Sequence, residues 1–505
     1  MSAYFMGIDN GGTLTKAVIF DEGGHEIASA SASIRMITPR AGFTERDMDE
    51  LWAANCKVIK EAIKKSGIRA NEIAGIACTG HGKGLYLWGK DDKPCCNGII
   101  STDSRAWMYP EKWKRDGTLD KVFIKTYQNI LASQPVSLLC WLKDNSPEVF
   151  DNIKWIFGVK DYIRFKLTGE AYAEITDYSG SSLLNLRERN FDKELLKEYG
   201  LEALFEALPP IKGSADICGA ISAIACEETG LTEGTPVAGG MFDIDACAIA
   251  MNITNEENIA VIAGTWSINE YISKQPVLNK SVMMNSCYCM EDYYLIEECS
   301  PTSAGNHSWF IDMFMKEEKQ LAKAEGVNVY KYCDMLAEKV APDEQNIIFL
   351  PYLYGSNYNP KAKASLIGVD SHHTKAHIIR AVMECIVFCH RVHLEKLLAN
   401  RTYTNCIRLA GGAANSMLWA QMFADILKLP VEIIETKELG TLGCAMAAAV
   451  AAGKYGDITE AAAKMVKIKQ RLEPNCTNYE VYDKKYMLYK KVSEILDNTC
   501  YSFNS

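Results

Sequence analysis

No run of lysine and arginine long enough to follow a phosphate backbone or an anionic lipid surface occurs in this chain, and a formal net charge of −10 over 505 residues opposes both. Nucleic acid and membrane are therefore not expected as partners. No uninterrupted apolar stretch is long enough to cross a bilayer. The opening residues, Met1 to Asp9, reach a candidate functional carboxylate at once, leaving no room for a basic and apolar leader. The cytoplasm is the expected location. No Cys-x-x-Cys pair occurs among the 18 cysteines, several of which, such as Cys385 and Cys389, sit in apolar runs. They read as buried thiols in a reducing compartment, not as a metal site or a disulfide framework.

What is present is an ordinary globular composition, 48% hydrophobic and 23% charged. A single core seldom grows to this size, so two large domains are expected, with a cleft available for ligands. An acidic protein still binds an anionic nucleotide where backbone N–H groups and a divalent metal supply local positive charge.

The chain opens as strand, turn and strand: Tyr4 to Asp9, then Asn10-Gly11-Gly12, then Thr13 to Phe20, with another turn at Asp21 to Gly24. A second copy of this plan begins near Asn258, where Ile259 to Ile262 runs into Ala263-Gly264-Thr265 and Trp266 to Ile272 returns. Between them, elements alternate, with a helix expected over Met48 to Ser66 and a buried strand over Ile73 to Cys78. Alternation implies α/β layers. The stretch Gly230 to Gly240, rich in glycine, threonine and proline, reads as the seam between halves; the boundary near Met251 predicts domains 1–251 and 252–505.

Four segments carry chemistry. Asp9-Asn10-Gly11-Gly12-Thr13 joins two strands by a turn whose glycines let amides approach a phosphate, with a carboxylate beside them for Mg²⁺. A plain hairpin whose Asn-Gly only makes the turn is the alternative. Lys16 either reaches a γ-phosphate or is a solvated strand residue. Gly264 and Thr265 offer the same backbone approach plus a hydroxyl, so two turns from two domains would clamp the phosphates. Leu409 to Ser416 is an apolar strand followed by a small-residue turn, Gly411-Gly412-Ala413-Ala414-Asn415, on which a nucleoside could rest; Met417 to Lys428 then has helical spacing. Close helix–strand packing would explain it equally. Finally, Gly239-Gly240-Met241-Phe242-Asp243 puts a carboxylate after a glycine pair at the seam, suited to a base, with Asp245 as its rival and an N-cap role open to either.

Ala364 to Val369, then after seven residues His377 to Glu384, matches the C-terminal signature of the FGGY carbohydrate kinases at every restricted position, and the chain resembles that family over nearly its whole length. Ser133-Gln134-Pro135 through Trp141 to Asn145 resembles the N-terminal signature, with Leu138 where a lysine is usual. Gly42 to Asp47 with Trp52, Asp161-Tyr162, Leu167-Thr168-Gly169, Thr176-Asp177, and Gly411-Gly412 with Trp419 and Gln421 follow in the family's order. The resemblance implies α/β architecture with two duplicated actin-like (ribonuclease H-like) ATPase domains around a central cleft. It implies ATP and Mg²⁺, Asp243 as catalytic base, Asp9 at the metal, and Gly11, Gly12, Thr13, Lys16, Gly264, Thr265, Gly411, Gly412 and Asn415 toward ATP.

Within the family, Gly80 to Gly84, Ser101 to Ala106, and Ser300 to Asn306 look most like L-xylulose/3-keto-L-gulonate kinases, as does Gly355-Ser356-Asn357 where most members carry Gly-Glu-Arg. His81, in place of a glutamine, together with Gly82, Lys83, Asp103 and Arg105, falls where the family contacts sugar. Asp103 and Arg105 could instead simply pair with each other on the surface. Ser133 stands where glycerol kinases have a tyrosine, which disfavours glycerol. The implied reaction is phosphorylation of a terminal hydroxyl of a small sugar, foremost a pentulose. A polyol kinase (erythritol, xylitol or glycerol) and a D-xylulose kinase are the alternatives, with a non-catalytic sugar sensor and an actin-like chaperone or filament ATPase outside the class. A homodimer is compatible with this reading, and the sequence does not set the oligomeric state.

Overall fold

The computed structural model describes residues 3–356, 359 and 361–499, the last two by backbone alone. The chain divides into two compact units. The first runs to Thr254 and also contains Ile272–Ile296 and Glu438–Val466; the second comprises Asn255–Tyr271, Glu297–Lys437 and the segment from Lys467 onward.

In the first unit the hairpin Tyr4–Asn10 and Leu14–Phe20 is extended by Glu26–Ser33 on one side and by the parallel strand Ile73–Gly80 on the other. The short strand Met241–Phe242 lies parallel to the end of Ile73–Gly80. Its register puts Met241 opposite Thr79, which is itself opposite Asp9. Three parallel strands thus end side by side at Asn10, Gly80 and Phe242. Crevices outside the carboxyl ends of such strands are where open α/β sheets bind ligands.

The helix Met48–Ser66 starts where the Asp47 side chain accepts from the Glu50 amide at 2.8 Å, and stops at Gly67, whose φ of 69° no β-carbon disturbs. Its buried face carries Leu51, Trp52, Asn55, Val58, Ile59 and Ala62, the spacing of one helical stripe. The helix Leu439–Ala451 packs so closely on the sheet that a β-carbon on Gly7 would lie 2.0 Å from the Thr441 carbonyl oxygen. Gly240 combines both demands, a φ of 76° and only 1.9 Å between a built β-carbon and the Cys78 oxygen. Gly240→Ala is expected to cost on the order of 3 kcal/mol, read as a lowered denaturant midpoint at unchanged slope.

The second unit repeats the plan. Asn258–Ala263 and Ser267–Ser273 form the hairpin, Cys406–Gly411 pairs parallel with Asn258–Ala263, and Val431–Ile434 and Ile468–Leu472 continue the sheet. Ala263 and Gly411 are opposite each other, so the turns after both strands stand together. The repeated hairpin and flanking parallel strand make this the duplicated actin-like ATPase fold. Among the described residues no helix is long and apolar enough to cross a membrane.

Candidate active site

Asp9 is the penultimate residue of its strand, half-buried beside Gly440 and Thr79. Burial pushes its carboxyl up to about 6, against the pull of Lys16 and with a push from Glu438. Lys16 is directed to Glu438, both of whose carboxylate oxygens take hydrogen bonds from Nζ, at 2.9 and 2.8 Å. The turn Gly11-Gly12-Thr13 is solvent-facing, and its carbonyls are tied down from below: Arg46 Nη2 donates to Gly11 O at 3.2 Å and Gly12 O at 2.6 Å. Arg46 is 1% exposed, and its Nε and Nη1 make no hydrogen bond. The backbone of the turn is thereby fixed through its carbonyls.

The loop after Ile73–Gly80 carries His81, Gly82 and Lys83. His81 N donates to Asn10 O at 3.0 Å, joining this loop to the glycine turn. The His81 ring is buried, and both its nitrogens are engaged, Nε2 with Tyr86 Oη at 3.1 Å and Nδ1 with Gly82 O at 3.3 Å. Burial, with the Arg46 charge adding, holds its pKa down at about 4, so the ring is neutral and Nδ1 donates. Gly82 has no room for a side chain, because a β-carbon would enter the Phe242 ring. Lys83 adopts φ 63°, a left-handed conformation rare for a non-glycine residue and found preferentially at functional loops.

Asp243 is the first residue of the helix Asp243–Ala250, and its Oδ1 accepts from the Ile244 amide at 2.9 Å. Neither Asp243 nor Asp245 serves as the N-cap; Phe242 occupies that position and Asp245 lies inside the helix, fully buried. Burial raises the Asp243 carboxyl well above the usual range, Asp9 and Asp177 add to this, and the Ile244 amide and Lys83 oppose it. A buried ionic network steadies the segment. Lys160 Nζ stands 2.9 Å from Asp161, 3.2 Å from Glu174 and 3.9 Å from Asp177. Glu174 accepts from Thr176 Oγ1 at 2.7 Å, and Thr176 Oγ1 in turn accepts from Phe242 N at 2.8 Å. Arg164 Nη1 donates to Gly239 O at 2.6 Å. The backbone on both sides of the glycine pair is thereby pinned.

The pairing of Asp103 with Arg105 is not a surface contact. Both are buried, Arg105 Nε donates to both Asp103 oxygens at 3.0 Å, and its Nη2 reaches Glu45 at 2.8 Å. The guanidinium also stacks on Phe43, 4.1 Å from the ring centre, while Asp103 accepts from Thr44 N at 2.8 Å. These groups satisfy one another and hold the Gly42 to Asp47 loop.

In the second unit, Gly264 and Thr265 form the hairpin turn, with Thr265 exposed and Gly264 O accepting from Gly305 N at 3.2 Å. Gly411, at φ 84°, passes so close that a β-carbon would sit 2.5 Å from Ala263 O. His390 braces this corner, with Nε2 2.8 Å from Ser303 Oγ and Nδ1 2.8 Å from Asn269 Oδ1. Beside it opens a cavity of about 680 Å³ lined by Gly412, Asn415, Ser416, Tyr330, Lys437 and Trp419, among others. That volume suits a small ligand such as a nucleoside. Asn357 lies outside the described residues.

Sequence reasoning did not assign Arg46, Glu438 or Asp177 a place at these sites. Arg46 and Asp177 lay in segments that resemble the family; Glu438, 422 positions from Lys16, gave no local signal.

Two sheets of one plan, each ending in a glycine turn with a carboxylate or hydroxyl beside it, define the actin-like ATPase class. The chain belongs to the FGGY family of carbohydrate kinases: the model of that family's N-terminal domain matches residues 4–250 and that of its C-terminal domain residues 259–452. It is similar to "Probable L-xylulose kinase" of Haemophilus influenzae, 35% identical over 98% of this chain and 99% of that protein. It is likewise similar to "L-xylulose/3-keto-L-gulonate kinase" of Escherichia coli K12, 34% identical over 97% and 96%. Among solved structures, a ligand-bound xylulose kinase from Lactobacillus acidophilus superimposes with a TM-score of 0.89 at 26% identity, covering all of both chains. The protein is therefore a carbohydrate kinase with ATP as phosphoryl donor.

Proposed function

We propose that the enzyme transfers the γ-phosphoryl group of ATP to a terminal hydroxyl of a pentulose, with L-xylulose or its six-carbon acid relative 3-keto-L-gulonate as the preferred acceptor, in the cytoplasm. The observation that carries this reading is the run of relatives bearing those names, 33–35% identical over nearly the full chain. Lys83, presented by a strained loop beside Asp243, supports it, since an ammonium suits a ketose oxygen or a carboxylate.

In this reading Asp243 takes the proton of the attacking hydroxyl as that oxygen meets the γ-phosphorus in line. The amides of Gly11-Gly12 in one unit and of Gly264-Thr265 in the other are phosphate binders, and Gly411, Gly412 and Asn415 support the nucleoside. Asp9 is the residue that would hold Mg²⁺. The donor set fits, because a carboxyl pushed up by burial and by Glu438 is a site where a divalent cation restores the ionised form. The ion would supply charge neutralisation on the phosphates. The limits 1–251 and 252–505 expected from sequence need correction, since Ile272–Ile296 and Glu438–Val466 belong to the first unit, where Glu438 and Gly440 adjoin Asp9.

A coupled ADP-release screen over pentuloses, pentitols, tetritols and hexuronate-derived ketoses tests the acceptor. L-xylulose or 3-keto-L-gulonate is expected to exceed glycerol and D-xylulose in kcat/KM by roughly 5- to 150-fold, one or two mismatched buried hydrogen bonds. Erythritol or another polyol ahead by tenfold would remove the ketose assignment and leave the kinase intact.

A further inference from the structure

The acceptor loop faces a carboxylate that the reaction as described above does not use. Asp177 follows the Glu174–Thr176 relay, is 9% exposed, and its Oδ2 accepts no hydrogen bond; the nearest cation is Lys160 Nζ at 3.9 Å. Asp161 Oδ2 is also without a hydrogen bond, but Asp161 is engaged through Oδ1 at 2.9 Å by Lys160 and 2.7 Å by Arg164, whereas Asp177 has no cation closer than 3.9 Å among the described residues. Lys160 is drawn toward Asp161 and Glu174, and Arg164 toward Asp161 at 2.7 Å. An unmatched acceptor oxygen in such surroundings is costly unless something else satisfies it.

The position of that oxygen indicates what does. Asp177 lines a small pocket with Lys83, Gly84, Pro135, Gly158 and Ser181, whose free space of about 20 Å³ admits one water-sized group. The other polar groups of the wall are already spent: Tyr178 Oη donates to Ile156 O, and Ser181 Oγ donates to Tyr178 O. Gly158 keeps the carboxylate open, since a β-carbon there would stand 2.5 Å from Asp177 Oδ2. The pocket also adjoins the chemistry, because both Asp177 and Lys83 act electrostatically on Asp243.

We propose that Asp177 is the residue that reads the acceptor's configuration: its free oxygen takes a hydrogen bond from one hydroxyl of a ketose, seated in a single-hydroxyl pocket with Lys83 at its mouth. This rests on the assignment of the Lys83 and Asp243 surroundings to the acceptor. A polyhydroxylated ketose is the ligand class this arrangement selects, because the pocket admits one hydroxyl-sized group and offers it a single acceptor oxygen. An epimer that points its hydroxyl away leaves the carboxylate unmatched, and the selectivity follows from that mismatch.

The experiment compares the wild-type full-length chain with Asp177→Asn, Asp177→Ala and Gly158→Ala on D- and L-xylulose and D- and L-ribulose. KM for the best pentulose is expected to rise at least tenfold. The ratio of best to worst kcat/KM should narrow by a similar factor, while the KM for ATP stays within about twofold. Gly158→Ala covers the oxygen without altering its charge, so it decides the matter if the Asp177 variants do not fold. An unchanged ratio with unchanged acceptor KM would overturn the proposal and leave the pocket to a resident water. If the wild type prefers a different sugar, the sugar named above is wrong, and the same ratio is then read across the epimers of the sugar it does use.

Discussion

Asp243→Asn is expected to lower kcat by roughly 10²- to 10⁴-fold, with the dissociation constant of the nucleotide little changed. The substitution keeps the shape of the side chain but leaves no atom able to accept the hydroxyl proton. Asp243 stands at the end of one of three parallel strands, directly after a glycine pair whose backbone is pinned by Arg164 and Thr176. Its raised pKa adds a pH signature. Burial and the charges of Asp9 and Asp177 make ionisation harder, so the base is lost by protonation at a higher pH than an ordinary carboxylate would be. The wild-type kcat/KM should therefore fall along an acidic limb above the usual carboxylate range, and Asp243→Asn should lack that limb. Asp245→Asn, inside the helix, should change kcat by less than about tenfold. A reversal of the two effects would name the wrong aspartate.

Local chemistry made much of this legible. The helix Met48–Ser66 was readable to the residue because both its ends are set by adjacent side chains, Asp47 accepting from an amide and Gly67 taking the left-handed turn. The strand–glycine turn–strand plan was readable twice for the same reason. What sequence could not show is which groups spend their hydrogen bonds on one another. Lys16 is as compatible with a phosphate as with Glu438 until the fold brings the two within 2.8 Å. Asp103 and Arg105, two residues apart and charged, are as compatible in sequence with sugar contact as with a surface pair; the fold buries their pairing, with the guanidinium against the rings of Phe43 and Trp141. His81 lies in the expected loop, and its ring nitrogens are engaged by Tyr86 and Gly82, which no local pattern announced.

The segments Ile272–Ile296 and Glu438–Val466 belong to the first unit for a related reason. The helix Leu439–Ala451 is apolar or small nearly all round, so periodicity does not tell against what it packs; the answer lies in Gly7 and Gly75, glycines far away in sequence that admit its backbone. That helix brings Glu438 and Gly440 to Asp9, so one packing choice, made by small residues on both sides, builds the electrostatics of the candidate metal site.

Those electrostatics govern the second large effect. Asp9→Asn is expected to reduce kcat/KM for Mg·ATP by roughly 10²- to 10³-fold, the scale of losing one preorganised charge-stabilising group. The dissociation constant of the acceptor should stay within about threefold by calorimetry. Two residues of the same unit make the outcome specific. Lys16 keeps its partner Glu438 in the variant, so the local ion pair and the turn held by Arg46 survive. Asp243 loses one of the negative charges that raise its pKa, and the acidic limb of kcat/KM should move to lower pH. A merely structural hairpin residue would weaken both ligands alike and shift the melting temperature. A metal carboxylate weakens the nucleotide alone. Equal loss of nucleotide and acceptor binding would take Asp9 out of the metal site.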